Sequence, residues 1–458
     1  MSFYPDLIER FNTGEIVSKN DWDFDHIIMP VRNLVKKYQV KWDPAQPIPN
    51  DPDMADRVYQ AAIELAYQAG CYSHTTGRVL NFESGEIESG LKNTKQTLVM
   101  GEGKQSRDLY ARKICDERAP LVWAGNPGCP TPVELFLPYV MSCAQESVVD
   151  LLTCGSMTEF EGHTVTTGGP LEIAVTRLEL KLLREALERT GRPGMGMLAA
   201  QSSVSEIGDL AVSSHEYLRP TDSHLVPILN ELVMDARNIS RVVNSIDYGM
   251  RNASLACVMV GGLAGDAPGS AVLQAASFMA GNLTCLADYH LLHPIHIRHI
   301  ATSTRQVMWV QSMVSQAFAR NNPSIIVGDI YPKSGAVTKE LLFEVAANSI
   351  ALTVSGAHLE GVGAADGSVP NGTGLEARWM GEVGHAVTEQ HMDLGEANQL
   401  ILKLLEKYEP VFSEKGGNPG KRFDQAYDMK TVQPTADWTR LYTEVKQELK
   451  GLGLNALR

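Results

Sequence analysis

Short apolar runs that end in glycine or a polar residue alternate with amphipathic helical segments, and this alternation limits the folds open to the chain. Such runs are typical of parallel strands buried on both faces. Helices are predicted at 56–69, 176–190 and 394–408, among others. One large α/β barrel fits this pattern better than two domains. The apolar runs are VVDLLTCG (148–155), GMGMLAA (194–200), ACVMVGG (256–262), PIHIR (294–298) and PSIIVGD (323–329).

The first 60 or so residues differ from the rest, because they are polar and carry four prolines between 44 and 52. We therefore expect residues 1–60 to form a mainly helical extension and residues 61–458 to form the barrel domain, including C-terminal helices. In barrels of alternating strands and helices the active site lies where strands end and loops begin. Attention therefore falls on the residues that follow each apolar run.

Composition and charge exclude several classes of function. Among 458 residues the formal net charge is −14, which disfavours nucleic acid and anionic lipid as partners. No apolar run approaches the roughly 20 residues needed to span a bilayer. The N-terminus has neither a basic start nor an apolar core, so it is not a secretory signal. Seven cysteines without a CxxC motif indicate reduced thiols and a cytoplasmic protein.

Acidic and histidine side chains follow the 148–155 run. Glu159, Glu161 and His163 would point to one side of an extended chain. Two carboxylates and an imidazole on one face suit metal binding or proton transfer. An ordinary solvated loop is the alternative interpretation.

Further polar groups follow later runs. Asp329 ends the PSIIVGD run and precedes Tyr331, which suits a cation or proton site at a barrel mouth. His293, His296 and His299 are also candidates, as is the alternating set of Ser355, His358 and Glu360. Hydrogen-bonded strand or surface-loop residues are the alternatives for these sets. The glycine-rich stretch 261–270 matches no nucleotide-binding pattern and is interpreted as a tight loop over an active site.

Several ordered segments resemble the monomethylamine:corrinoid methyltransferase family of methanogenic archaea, and together they span nearly the whole chain. The resemblance implies an (α/β)8 TIM-type barrel and a homo-oligomer. It also implies that a methyl group passes to Co(I) of a cobalamin carried by a separate corrinoid protein. The segments are NDWD (20–23), GRPGMG (191–196), TDSH (221–224), LNEL (229–232), PIHIR (294–298), GLEAR (374–378), MGEV (380–383), KRF (421–423) and YDMKTV (427–432).

The chain departs from this family at the positions that handle the amine. Leu198 stands where the family has pyrrolysine, and leucine cannot hold methylamine as an adduct. Pro268 and Gly269 replace an acidic pair, and Asp329 replaces a glutamine. Monomethylamine is therefore not expected as the substrate, and the site is predicted around these positions with Tyr331 and the Glu159–Glu161–His163 loop.

Methyl transfer to Co(I) is an in-line displacement, so the enzyme must assist the leaving group. An aryl ether needs an acid or a Lewis acid such as zinc, which is left open here. The acidic candidates slightly favour a methoxylated aromatic donor. The alternative is a quaternary amine such as a betaine, whose cation Asp329, Tyr331 and Trp379 would surround, with His296 as a further substrate contact. A catalytically silent barrel that binds a corrinoid protein is the alternative of another class.

No tightly bound cofactor is expected in the chain itself. The Asp-x-His-x-x-Gly signature expected of corrinoid-carrying domains is missing from the sequence. We therefore expect the cobalamin to arrive on a partner protein, and the small methylated substrate to be bound at the barrel mouth.

Overall fold

Eight parallel strands close into a barrel in the computed structural model, which describes residues 3–199, 203–363, 367, 369–413 and 417–458. Each strand pairs with the next along the chain, and the last pairs with the first. The predicted (α/β)8 TIM-type barrel is confirmed. The strands are β1 Val122–Ala124, β2 Leu151–Leu152, β3 Gly196–Ala199, β4 Ser223–Ile228, β5 Arg251–Ala256, β6 Tyr289–Leu292, β7 Ile326–Ile330 and β8 His358–Gly361.

One helix follows each strand and covers the outside of the barrel. Side-chain caps define where several of them begin; the Asp235 carboxylate, for example, accepts a hydrogen bond from Asn238 N at 2.8 Å at the start of the fourth. The predicted helices at 56–69, 176–190 and 394–408 coincide with helices of the structure, Pro52–Ala69, α2 and Leu394–Tyr408. The eight barrel helices are α1 Val133–Ala144, α2 Pro170–Arg189, α3 Glu206–Val212, α4 Ala236–Tyr248, α5 Ala267–Thr284, α6 Arg305–Asn321, α7 Lys339–Ser355 and α8 Gly374–Glu389.

Successive side chains along each strand belong alternately to two apolar cores, one inside the barrel and one between the strands and the helices. Leu291 and Val327 point into the barrel interior, whereas their neighbours Leu292 and Ile326 join the layer between strands and helices. Both faces of these strands are therefore buried, which is why they occur in apolar runs.

Two of the predicted runs do not form barrel strands. The 256–262 and 294–298 runs lie just beyond β5 and β6, where Met259–Val260 and Ile295–His296 pair in a separate two-stranded sheet. Strands β5 and β6 carry polar side chains, so hydropathy does not mark them. Ser254 of β5 and His290 of β6 can be buried because they form a hydrogen bond with each other at 2.7 Å. A satisfied polar pair can occupy a buried strand that hydropathy does not mark.

The segment before the barrel is longer than residues 1–60. The helix Pro52–Ala69 crosses that predicted boundary and packs on α5 and α6, and the first barrel strand begins only at Val122. The segment also contains β structure, since Glu15–Ile16, Arg78–Leu80 and Cys71–Ser73 form a sheet with Val233–Met234 from the loop after β4. Other helices before and after the barrel are Phe3–Thr13, Met29–Lys37, Glu86–Lys92 and Ala436–Leu452, and Trp22–Ile28 is a π-helical turn.

An antiparallel hairpin closes the end of the barrel where the strands begin. Its strands are Thr97–Met100 and Arg107–Tyr110. Leu98, Met100 and Leu109 from this hairpin pack into the same apolar cluster as the barrel interior. The barrel is therefore sealed at this end and accessible from the opposite one. Among the described helices, none is long and apolar enough to cross a membrane.

The hairpin is predicted to contribute to stability through its inward-facing side chains. Leu109 is 0% exposed, so Leu109→Ala should leave a cavity and lower the free energy of unfolding by about 2–5 kcal/mol. Val99 in the same hairpin is 45% exposed, and Val99→Ala should change it by less than about 0.5 kcal/mol. Urea denaturation of both variants measures the difference; equal losses would show that the hairpin does not seal the barrel.

Candidate active site at the open end of the barrel

Four polar side chains lie side by side where β5 to β8 end. Leu255 pairs with Leu291, and Leu291 with Val327, in the parallel register of the interior residues. Two residues further along each strand, Cys257, His293 and Asp329 therefore become neighbours. Asp329 in turn pairs with Glu360 of β8. We call these four residues the mouth row.

His293 and Asp329 form a buried hydrogen-bonded ion pair through Nδ1 and Oδ2. Burial by itself would lower the pKa of His293, but the Asp329 carboxylate and the Cys257 thiol outweigh it and raise that pKa well above its usual value. The imidazole is thus held in its protonated form, and the negative charge of Asp329 is neutralised.

Glu360 is the member of the row that has no positive partner of its own. It is 1% exposed, and neither carboxyl oxygen has a hydrogen-bond partner among the described residues. Burial and the adjacent Asp329 carboxylate raise the pKa of Glu360 well above its usual value, against smaller opposing effects of Thr153 and His293. A buried acid in this setting is favourable only when it is protonated or when a cation joins it.

Tyr331 packs against the row from the loop after β7. Its ring meets the His293 ring edge-on with centroids 4.8 Å apart. Its hydroxyl donates to the carbonyl of Pro127 and lies 3.1 Å from the Cys129 sulfur. These contacts fix the ring, and the ring fixes the orientation of His293.

The accessible part of the interior lies against β4 and β5. Leu225, Leu255 and Cys257 face inward there and are only half-buried. Inward residues of the other strands, such as Trp123, are fully buried. Leu198 is 0% exposed and packs in the interior apolar cluster beneath this opening. The mouth therefore combines an apolar wall with the charged row.

The Glu159–Glu161–His163 set lies in the loop after β2 and is not part of that row. The three residues lie on a short hairpin in which Glu159 pairs with Thr164 and Phe160 with His163. All three predicted side chains are exposed to solvent.

The other predicted substrate contacts are dispersed. His296 is buried in the two-stranded sheet beyond the mouth, where burial and the nearby His299 and Arg298 lower its pKa to about 4. Gly269 lies in the first turn of α5, so close to the Ala264 carbonyl that a Cβ would come within 1.9 Å of it.

Pro268 begins the same helix and is half-buried. Trp379 lies outside the barrel in α8, where its Nε1 donates to the Leu342 carbonyl at 2.7 Å. It is fully buried among helices and is not brought to the mouth.

The sequence analysis names Asp329, Tyr331, His293 and Glu360 as candidates, and it does not name Cys257. The signal for Cys257 was available, because it continues the inward alternation of a strand, but that strand was not recognised. Among the described residues, no group of three or more His, Cys, Asp or Glu side chains has the arrangement needed to hold a metal ion.

Comparison with known proteins agrees with this architecture. The family model described as monomethylamine methyltransferase MtmB matches residues 3–454. Monomethylamine methyltransferase MtmB1 of Methanosarcina barkeri is 31% identical over 98% of this chain and 97% of its own length. The protein MtmB of Methanosarcina mazei is 30% identical over the same shares. The crystal structure of the Methanosarcina barkeri enzyme superposes with a TM-score of 0.95, covering 99% of both chains.

The burial of Glu360 is predicted to lower stability at neutral pH. Its folded-state pKa is raised, so the stability it contributes is present below the usual carboxyl range and is lost as the pH rises. Glu360→Gln should therefore be more stable than the parent by at least about 1 kcal/mol near pH 7, but not near pH 4.

Glu382→Gln is the matched control. Lys446, Tyr442 and Arg378 outweigh burial and lower the pKa of Glu382, so its substitution should destabilise near neutral pH. Urea denaturation at both pH values gives the comparison. A Glu360→Gln effect that does not depend on pH would show that the parent carboxyl is not a buried, unpaired acid.

Proposed function

The chain belongs to the monomethylamine methyltransferase MtmB family, and on that premise we propose that it takes a methyl group from a methylated ammonium donor and passes it to the cobalt of a separate corrinoid protein. It is a methyltransferase, and the open end of its barrel is where donor and acceptor meet. The acceptor corrinoid is a second substrate in this proposal.

One observation carries the choice of an ammonium donor. Asp329 is neutralised by protonated His293, whereas Glu360 is a buried acid with no ion pair among the described residues. A cationic donor beside Glu360 would let that carboxyl ionise and would compensate its charge. A neutral donor would leave a buried acid unpaired, at a cost of several kcal/mol if it ionised.

The preference for a methoxylated aromatic donor gains no support, and the amine alternative fits better. The relatives above are named for monomethylamine. A protonated or quaternary amine departs as a neutral molecule, so transfer needs no acid at the leaving group. The exposure of Glu159, Glu161 and His163 is then no obstacle to the reaction.

The apolar wall suits the methyl groups of such a donor. Leu225 and Leu255 offer half-buried aliphatic surface opposite the charged row. Leu198 closes the floor beneath them and cannot form an adduct. A highly methylated ammonium therefore fits better than one that needs several hydrogen-bond acceptors, because the wall provides contact area without polar partners. The transferred methyl must point out of the mouth, since the barrel below is filled.

A donor panel tests the proposal directly. The chain is mixed with cob(I)alamin as acceptor and with tetramethylammonium, glycine betaine, monomethylamine or a methoxylated aromatic, and the cobalt absorbance is followed. We expect methylation of the cobalt with a quaternary amine and none with the neutral ether. Leu198 also predicts that monomethylamine is a poor donor. An unchanged spectrum with every donor would favour the silent barrel.

Glu360→Gln is predicted to slow transfer from the best cationic donor by at least about tenfold, because the buried counter-charge is removed. Glu134→Gln is the charge-matched control, since Glu134 is exposed on α1. Glu161→Gln tests the acid-assisted route, in which it would slow transfer by at least about tenfold. Loss of activity in Glu161→Gln together with full activity in Glu360→Gln would favour the acid-assisted route over the role of Glu360 as counter-charge.

The expected homo-oligomer stays a prediction, which light scattering on the purified chain tests.

A further inference from the structure

Cys257 occupies the end of the mouth row and faces the accessible space. It follows β5 at the position that continues the inward alternation of Ala253 and Leu255. Met259 and Ile295 keep the same pairing register just beyond, which holds Cys257 beside His293. The residue is half-buried and packs against the small apolar cluster that contains Tyr331.

The three neighbours Cys257, His293 and Asp329 have the order of an activated nucleophile. Asp329 engages His293 Nδ1, which leaves Nε2 as the nitrogen that can meet the thiol. The register on both sides of Cys257 places it next to His293, and the nearby sulfur adds to the effect of Asp329 in raising the pKa of His293. A thiol beside an imidazole that a carboxylate orients is the arrangement that generates a thiolate for covalent catalysis. The other titratable groups around this set are Glu360, Tyr331 and Cys129.

We propose that Cys257 is a methyl relay, which receives the methyl group from the ammonium donor and then hands it to the corrinoid acceptor. This rests on the proposed function. In the first displacement the Cys257 thiolate forms a sulfur–carbon bond, the carbon–nitrogen bond breaks, and the neutral amine leaves with the bonding pair. In the second, the methyl moves from sulfur to Co(I), and the departing sulfur takes a proton from His293. Return of that proton to His293 restores the starting pair, so no oxidant or reductant is consumed.

The rest of the mouth is consistent with a covalent step at this position. Leu198 carries no reactive group, so in this proposal the covalent intermediate forms on Cys257. The sulfur lies on the same wall as Leu255, which we assign to the methyl groups of the donor. Glu360 lies at the other end of the row, where in this proposal it offers the negative charge that draws the cation into the mouth.

The reactivity of the sulfur is tested without donor or acceptor. The native chain is treated with iodoacetamide near neutral pH, and modification of each cysteine is followed by peptide mass spectrometry. Free glutathione serves as the reference thiol, because partial burial raises the pKa of the exposed Cys115 and would slow its reaction. We expect Cys257 to react at least about tenfold faster than glutathione despite being half-buried. His293→Gln should abolish that advantage, and Asp329→Asn, which preserves shape, should reduce it. A Cys257 rate at or below that of glutathione, or one unaffected by both substitutions, would overturn the proposal.

The relay itself is tested with tetramethylammonium in the absence of acceptor. We expect the peptide that contains Cys257 to gain the mass of one methyl group and to lose it when cob(I)alamin is added. Cys257→Ser should slow transfer at least about a hundredfold, whereas Cys115→Ser should leave it unchanged. Methylation of cob(I)alamin without any methyl on Cys257, or at the parent rate in Cys257→Ser, would overturn the relay and leave the proposed function standing. Failure of every donor to methylate either sulfur or cobalt would overturn the proposed function and the relay with it.

Discussion

The closed parallel register of the barrel is the constraint on which the site depends. Each strand hydrogen-bonds to the next without an edge, so inward residues at the strand ends are held beside their counterparts on both sides. Cys257 and His293 directly follow β5 and β6, and Asp329 and Glu360 lie in β7 and β8, yet the pairing of these strands brings all four into one row. A shift of one strand by a single residue would turn its member of the row toward the helices.

The sequence predicted the fold more fully than the site. Alternation of apolar runs and helices was enough for a single barrel, and the ordered family segments specified eight strands. Strands β5 and β6 were misplaced because Ser254 and His290 make a buried polar strand look like a loop. Cys257 was not predicted as a site residue for the same reason, because it directly follows β5. The hairpin with Glu159 and Glu161 looked attractive because its charges alternate, but spacing along the chain says nothing about burial, which decides whether a carboxyl is activated.

The charged row also shows how function can oppose stability. Hydrophobic side chains at the same places would complete the interior core that Leu198 and Val327 begin. Instead the chain buries Glu360 next to Asp329, which is unfavourable until a cation arrives. In the proposed reaction, a cationic donor would compensate the charge of the ionised Glu360, and this would favour cations over neutral molecules of equal size.

The hairpin fills one end of the barrel, so among the described residues the interior is open only at the other end. Leu98, Met100 and Leu109 block the end where the strands begin, so in the proposed reaction the small donor and the larger acceptor protein would use the same opening. An acceptor bound over that opening would keep spent amine inside and fresh donor outside. Direct transfer would require donor and acceptor to be bound there at the same time. A methyl group held on Cys257 would instead let them bind one after the other, so that each turnover would consist of two separate binding events.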